Sequence, residues 1–499
     1  MNEQVNPQHA KRANIKLDWI FGIRKDITPN ILLLDSDNIV YPAGHYIVIY
    51  NHVKKVPQSQ LQQFIPGQAH SQGIVAFTTT NITKKFIAVA EEFNEDVVIS
   101  IYNIFNQGGA GVYNLHHKVQ NVSLYESRII KILHMAFSQK ENLNLNFFAV
   151  LCKSEEELQL LIWKWDNEQL KEKLPVSITK IAKLEPKDWI QVTFTPFKNE
   201  NLCIVTSTHL FYHQIIGRTF PSLYDYNFEK NGYGKIVSYC WLFEFNFCVL
   251  TETTIVILDL QNPNSKFVQE IKLSIDDFTG TFTCVLALLD AFIIAGTRRR
   301  FEIYERKNNE SYVLSKKGTS EFDKENIFDF VCLACPNAGS GSEKTIFAST
   351  SKNNLITMNI RDSNEVLLTK ISAFSYMICP FHSDSIEGID VCINKPYVIS
   401  CSKDKTLRIW DYKKRSQVIE DTFDDEMYSV AYHPSGMHAV VSFSEKVKPI
   451  NIFYDEILSM IPQGGGLQAK KAKDVIFNII FRLNSRMEAN ILHSTMEIK

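Results

Sequence analysis

Short apolar runs alternate with polar turns from about residue 30 to residue 455, with almost no helical spacing between them. Runs rich in β-branched and aromatic residues, bounded by turn residues, predict β-strands. The clearest unit begins at His382 and Ser383, continues through IEGIDVCI and a turn at 394–396, and ends in YVISCSKDKTLRIWDY. This order predicts a strand, a turn, a strand, a tight turn and a strand, so the body of the chain is all-β.

Weaker copies of this unit recur along the chain. They place Tyr102, Trp165, Leu258, Tyr304 and Phe453 where the clear unit has Trp410, and Tyr102 to Phe453 is 351 residues in seven steps. A step of about 50 residues is slightly longer than one WD repeat. Such units bury their apolar faces only by packing on one another around a central axis. We expect a WD40 β-propeller of seven to eight blades, or a seven-bladed ring followed by the first blade of a second one.

Three regions are predicted: an N-terminal extension over 1–29, the propeller over 30–458, and a Gly-rich linker with a short C-terminal helix over 459–499. The segment 31–51 is expected to form two further strands that pair with the C-terminal repeat and lock the ring. In the last region, apolar residues recur at helical spacing among lysines and arginines, namely Val475, Ile476, Ile479, Ile480, Leu483 and Met487. This amphipathic helix is predicted to dock on the propeller, to bind a partner helix through 468–492, or to fray.

Composition argues against several classes of function. Lys plus Arg total 53 and Asp plus Glu total 55, so a net charge of −2 draws the chain neither to nucleic acid nor to a membrane. No apolar run is long enough for a signal peptide or a membrane helix, and ten scattered cysteines indicate a reducing compartment. Cys332 and Cys335 form a lone CxxC without a second pair of ligands. Since no phosphate-binding Gly-rich motif occurs either, no metal or other cofactor is predicted.

Four residues of the clear unit have the types and the order of the WD structural tetrad: His382, Ser400 (or Ser402), Asp404 and Trp410. In such a tetrad an Asp orients a His, and the His meets a hydroxyl that accepts a hydrogen bond from the indole N–H, so each buried donor has an acceptor. The alternative, a Ser-His-Asp catalytic set, lacks a nucleophile elbow. The chain is therefore predicted not to be an enzyme.

Two basic clusters are candidate partner-binding sites. They comprise Arg298, Arg299 and Arg300, and then Lys403, Lys405, Arg408, Lys413, Lys414 and Arg415. Turns and inter-blade loops are where propellers meet partners, so these groups are suited to an acidic surface such as a tubulin tail. The plainer interpretation is a solvated rim.

An ordered set of segments resembles the cilia- and flagella-associated protein 57 family, which are axonemal WD-repeat proteins. The matching stretches are NIVYPAGHYIVIYN, QQFIPG, SQG at 71–73, MAFS at 135–138, ASTSKNNL at 348–355, SYMICPFHSDSIEGI, ISCSKDKTLRIWDY and YSVAYHPSGMHAVV. They cover roughly residues 30–458. ILLLDSDNIVYPAG is also similar to the opening of the echinoderm microtubule-associated protein-like propellers. The resemblance therefore implies a short form of the family, either a short paralogue or a truncated gene model, because family members continue into a second propeller and a coiled coil whereas this chain turns at residue 460 into an unrelated helix.

The resemblance implies a scaffold in the cytoplasm, cytoskeleton and ciliary axoneme. It implies partners among inner dynein arm subunits, regulatory-complex subunits and the doublet microtubule, in support of motility, with no nucleic acid and no membrane. A second hypothesis is a general WD adaptor outside cilia, such as a ubiquitin-ligase substrate receptor or a vesicle-coat component, because the fold does not fix the function.

Overall fold

The structure, a computed structural model, describes residues 17–452 apart from 55, 81–84, 95, 109–111, 120–128, 139–145, 155–157, 167–168, 171–174, 176, 182–189, 243–245, 262–266, 274–279, 308–310, 320–326, 336–344 and 360–373. The chain divides into two compact units, Met1–Ser385 and Ile386–Lys499. The predicted C-terminal helix and Phe453 lie outside the described residues.

Within its described residues, the first unit contains seven antiparallel sheets, each built from consecutive strands. Sheet 1 has β1 to β4 (Leu32–Leu33, Asn38–Ala43, Tyr46–Asn51, Gln62–Pro66), and sheet 2 has β5 to β8 (Gly73–Thr79, Phe86–Glu92, Val97–Gly108, Val112–Val119). Sheet 3 has β9 to β13 (Ile129–Phe137, Phe147–Ser154, Leu158–Asp166, Gln169–Leu170, Ser177–Ile181). Sheet 4 has β14 to β17 (Ile190–Phe194, Asn201–Thr206, His209–Gln214, Ser222–Asn227).

Sheet 5 has β18 to β21 (Ile236–Trp241, Asn246–Thr251, Thr254–Asp259, Phe267–Lys272), and sheet 6 has β22 to β25 (Phe282–Ala287, Ala291–Gly296, Arg300–Lys307, Ser311–Thr319). Sheet 7 has β26 to β29 (Phe330–Ala334, Thr345–Thr350, Leu355–Asn359, Phe374–Tyr376). Two short 3₁₀ turns lie at Gln58–Gln60 and Thr297–Arg299.

The seven sheets surround one channel. Residues from the first strand of every sheet, from Leu32 in sheet 1 to Val331 in sheet 7, line a single cavity. Apolar side chains from consecutive sheets meet in buried clusters, such as Phe86 of sheet 2 with Trp163 of sheet 3. Fully burying one such large apolar side chain contributes about 1.5–3 kcal/mol. The first unit is therefore a seven-bladed β-propeller, and the predicted WD40 β-propeller fold is confirmed.

Side-chain contacts close this ring between sheets 1 and 7. The Ser349 hydroxyl donates to Asn30 Oδ1 at 2.6 Å, and the ring centroids of His52 and Phe347 lie 4.6 Å apart. Segment 31–51 was predicted to pair with the C-terminal repeat, and this was wrong. Its strands pair with one another and with β4, because the local hairpins satisfy their backbone groups within sheet 1.

Residues 17–31 run over the first sheet as a strap. The side-chain amide of Gln62 makes two hydrogen bonds to the backbone of Ile20, at 3.0 and 3.2 Å. Arg24 donates to the carbonyl oxygen of Ile74 in sheet 2 at 2.9 Å. The part of the predicted extension that the structure describes is therefore packed on the propeller.

The second unit contains sheets 8 and 9 within its described residues. Sheet 8 has β30 to β33 (Ile386–Val391, Tyr397–Ser402, Thr406–Asp411, Ser416–Thr422), and sheet 9 has β34 to β36 (Met427–Tyr432, His438–Phe443, Val447–Asn451). A Cβ at Gly388 would lie 2.9 Å from Ser429 Cα and from Val430 N. The lack of a side chain at Gly388 therefore lets the two sheets approach closely.

Candidate partner-binding surfaces

Two residues of the predicted tetrad, Ser400 and Trp410, meet within sheet 8. Trp410 on β32 donates its indole N–H to the Ser400 hydroxyl on β31 at 2.8 Å, and both side chains are buried. Asp404 lies in the turn between these strands, where its carboxylate accepts hydrogen bonds from the Thr406 backbone N–H and hydroxyl at 2.8 and 2.7 Å. These bonds hold the β31–β32 turn and the indole in place.

His382 belongs to the first unit. It is buried, and its carbonyl oxygen accepts a hydrogen bond from the Asn353 side chain at 3.0 Å. Its place in the tetrad with Ser400, Asp404 and Trp410 stays a prediction.

Three of the five weaker copies of the repeat lie as predicted. The cross-strand partners of Tyr102, Leu258 and Tyr304 correspond to that of Trp410. In sheet 3 this position belongs to Trp163, which pairs with Phe148, and the prediction of Trp165 was wrong by two residues. Both tryptophans are buried, so apolarity alone does not distinguish them.

The first basic cluster is only partly exposed. Arg298 is exposed and Arg299 half-buried, in a turn where both have left-handed φ angles of 53° and 63°. This turn is held because the Arg298 backbone N–H donates to Asp329 at 2.9 Å. Arg300 is buried and forms an ion pair with Glu302 at 2.8 Å. Arg300 therefore does not belong to an exposed basic surface, which corrects the prediction for this residue.

The second basic cluster is divided between two ends of sheet 8. Lys403 and Lys405 lie in the β31–β32 turn, whereas Lys413, Lys414 and Arg415 lie in the β32–β33 turn. Consecutive turns of an antiparallel sheet are at opposite ends of its strands, so the six residues do not form one patch.

Arg408 is buried within sheet 8. Its guanidinium bonds Gln417 at 2.8 Å and Glu420 at 3.1 Å. The prediction of Arg408 as a partner contact was therefore also wrong, because this side chain holds β33 to β32.

The central channel of the first unit was not singled out by the sequence. It is a cavity of about 330 Å³, and its lining within the described ranges includes no Asp, Glu, Lys or Arg. Burial lowers the pKa of His134, one of the lining residues, to about 4, and its Nδ1 accepts a hydrogen bond from the Val192 N–H at 3.4 Å. No short motif signals this cavity, because one strand of each sheet contributes to it.

The cysteines are placed as core and half-buried residues. Cys332 is buried and Cys335 half-buried, and burial raises the pKa of the Cys332 thiol. Among the residues that the structure describes, no three His, Cys, Asp or Glu side chains come together as a metal site would require. Over the same residues, no helix has the length and apolarity to cross a bilayer.

The fold defines a class: this is a WD-repeat β-propeller protein. A family model for the WD domain, G-beta repeat, matches residues 375–411, the segment that contains most of the clear repeat.

Curated relatives align along most of the chain. Cilia- and flagella-associated protein 57 of Mus musculus is 26% identical over 88% of this chain and 36% of its own length. Cilia- and flagella-associated protein 57 A of Tetrahymena thermophila is 24% identical over 94% of this chain and 38% of its own length. Echinoderm microtubule-associated protein-like 2 of Mus musculus is 19% identical over 85% of this chain and 58% of its own length. The chain is thus similar to members of the cilia- and flagella-associated protein 57 family, as the sequence segments predicted, and it spans little more than a third of these proteins' length.

Proposed function

We propose that this chain is a non-catalytic protein-binding scaffold of the ciliary axoneme. It would help to position inner dynein arms or regulatory complexes on doublet microtubules, and so support motility. The observation that carries the proposal is the alignment of nearly the whole chain with proteins named for cilia and flagella. Because these relatives are longer, the function of the complete relatives comes to this chain only as a proposal.

The arrangement of the propeller supports a binding role. Its buried polar groups in the clear repeat hold turns and strands, and the exposed residues of its two basic clusters lie in turns, where propellers offer side chains to partners. The turn cations Arg298, Lys413 and Lys414 are exposed. Such cations favour an acidic partner surface and fix its register more than they add affinity.

The test is to tag the protein at its own locus in a ciliated cell, image it, and purify it with its partners. Axonemal localisation, with tubulin and dynein subunits in the purified material, supports the proposal. A tagged protein found only outside cilia, together with normal beating after gene loss, contradicts it. Recovery of ubiquitin-ligase or vesicle-coat subunits instead would favour the general adaptor.

Charge reversal identifies the surface that binds. Arg298→Glu is expected to weaken co-purification if the turn of sheet 6 binds, and the pair Lys413→Glu with Lys414→Glu if the β32–β33 turn does. Lys230→Glu is the matched control, an exposed lysine in the turn between β17 and β18, outside both clusters. Unchanged recovery of partners with both sets of variants would remove these turns from the proposal.

A further inference from the structure

The turn between β23 and β24 of sheet 6 holds two consecutive arginines in a left-handed backbone conformation. Arg298 has φ 53° and ψ 33°, and Arg299 has φ 63°. Residues with a Cβ rarely adopt this conformation, because the Cβ crowds the following carbonyl oxygen, and glycine or asparagine is preferred there. Among the described residues, no other two consecutive non-glycine residues have positive φ angles. The two arginines therefore stand where the backbone alone favours other residues.

Other sheets of the first unit carry the favoured residues in the turn between their second and third strands. Gly44 of sheet 1 has φ 59°, and Asn353 of sheet 7 has φ 57°. In sheet 6 the equivalent turn carries two guanidinium groups at a cost in backbone energy. Strained backbone positions of this kind cluster at binding sites, where the side chain is needed for contact with a ligand.

Contacts from the segment that enters sheet 7 hold the strained turn in place. The Arg298 backbone N–H donates to Asp329 Oδ1 at 2.9 Å, and the Arg299 N–H donates to the Phe328 carbonyl oxygen at 3.0 Å. Asp329 is itself fixed, because its N–H donates to the Ser351 hydroxyl at 3.0 Å and its carbonyl oxygen accepts from the Ser351 N–H at 2.8 Å. The turn is therefore ordered in the free protein, and a partner does not have to order it on binding.

The same contacts bring a third cation to this turn. Lys352 follows Ser351 in the β27–β28 turn, which the bonds between Ser351 and Asp329 hold beside the two arginines. Arg298 is exposed, whereas Arg299 and Lys352 are half-buried. The described segments 297–299, 327–329 and 351–353 together contain these three cations and one carboxylate, that of Asp329. The surface that they form is therefore cationic.

We propose that the cationic surface of Arg298, Arg299 and Lys352 binds an extended acidic segment of a partner protein through its carboxylates. A guanidinium donates paired hydrogen bonds to a carboxylate. Cations on two separate turns suit several carboxylates along an extended chain better than one compact phosphate group, which the Asp329 carboxylate would also repel. This contact would be one by which the proposed scaffold holds a partner, and the inference rests on that proposed function.

Fluorescence anisotropy of a labelled hexaglutamate peptide, titrated with the purified full chain, tests the proposal. We expect the peptide to bind and its affinity to fall with added salt. Arg298→Asn combined with Arg299→Gly should weaken binding by about tenfold, and Lys352→Ser by about threefold. Because asparagine and glycine suit the left-handed turn, the Asn-Gly variant should melt no lower than the wild type.

Lys54→Gly is the matched control. Lys54 is an exposed lysine with φ 57° between β3 and β4 of sheet 1, so this substitution also removes a cation from a left-handed position, but in another sheet. It should leave peptide binding unchanged. Four results would overturn the proposal: a wild type that does not bind the peptide, unchanged binding by the Asn-Gly variant, an equal loss with Lys54→Gly, or a lower melting temperature of the Asn-Gly variant. A tagged chain that reaches the axoneme while the purified chain fails these tests would refute this contact and leave the proposed function standing.

Discussion

Replacing Glu302 with leucine tests whether the buried ion pair of sheet 6 stabilises the propeller. Glu302 accepts hydrogen bonds from Arg300 and from the Tyr304 hydroxyl, both at 2.8 Å. Arg300 also donates to the carbonyl oxygen of Gly280 at 3.1 Å and lies 4.3 Å from the ring centroid of Phe282. Glu302→Leu leaves a buried guanidinium without its carboxylate, and breaking a buried pair in this way costs about 3–5 kcal/mol.

The expected change in melting temperature follows from the size of the unit. The first unit ends at Ser385. At about 2.1 cal/mol/K per residue, its entropy of unfolding is roughly 0.8 kcal/mol/K, so a loss of about 4 kcal/mol lowers the melting temperature by about 5 °C. Differential scanning calorimetry of the full chain measures this shift.

The control removes both charges and the hydroxyl that depends on them. Arg300→Met combined with Glu302→Leu and Tyr304→Phe fills the site with apolar side chains of similar volume, which is often neutral or stabilising. We expect this triple variant to melt within about 2 °C of the wild type, far above Glu302→Leu alone. If Glu302→Leu alone melts with the wild type, the ion pair does not carry the stability assigned to it.

Three further predictions concern His134, Trp410 and Gly388. Burial lowers the pKa of His134 to about 4, so on acidification this histidine is protonated in the unfolded chain before it is protonated in the folded chain. Its contribution to the free energy of unfolding is full above about pH 6.5 and falls towards pH 4 by at most about 3 kcal/mol. The melting temperature of His134→Gln should therefore fall less steeply over this pH range than that of the wild type, and an equal fall contradicts the reasoning. Trp410→Phe removes the indole N–H that donates to the Ser400 hydroxyl and leaves unfilled space, so it should lower the free energy of unfolding by about 1–3 kcal/mol in calorimetry. An unchanged free energy of unfolding would show that the indole hydrogen bond is dispensable. Gly388→Ala should separate sheets 8 and 9 and raise hydrogen exchange in β34, and native-like protection there would refute the close contact.

Much of the fold could be predicted because propeller strands are local. Each sheet consists of consecutive strands joined by short turns, so alternation along the sequence locates strands and their neighbours together. The bond between Trp410 and Ser400 was predictable for the same reason, since one hairpin brings them together. Where a prediction needed only a hairpin, as for Tyr102 and Tyr304, the structure confirms it.

Other features depend on contacts that a single hairpin does not determine. Arg300 and Arg408 look like surface residues beside other cations, yet each is buried because an acidic residue on its own or the next strand pairs with it. The closure of the first ring through Asn30 and Ser349 joins residues far apart in sequence. The central channel was missed for the same reason, since it takes residues from seven sheets.

One position explains why a single repeat is recognisable in a chain of nine described sheets. Strand pairing places Val89, Val150, Val249 and Ile294 where sheet 8 has Ser400. An aliphatic side chain accepts no hydrogen bond, so an indole opposite it loses its acceptor, and Trp163 Nε1 is indeed buried without a partner among the described residues.

Two other sheets keep the aromatic residue and find different acceptors or donors. The Tyr304 hydroxyl donates to Glu302, and the Tyr102 hydroxyl accepts from the Gln68 side chain at 3.0 Å. Each substitute satisfies the buried polar atom, which is what the fold requires, but with residue types that a repeat pattern does not contain. Apolar packing between sheets therefore maintains the propeller although most of its sheets lack the polar residues of the WD repeat. For this reason the periodicity of apolar residues predicts the fold, whereas the repeat motif is recognisable in one unit.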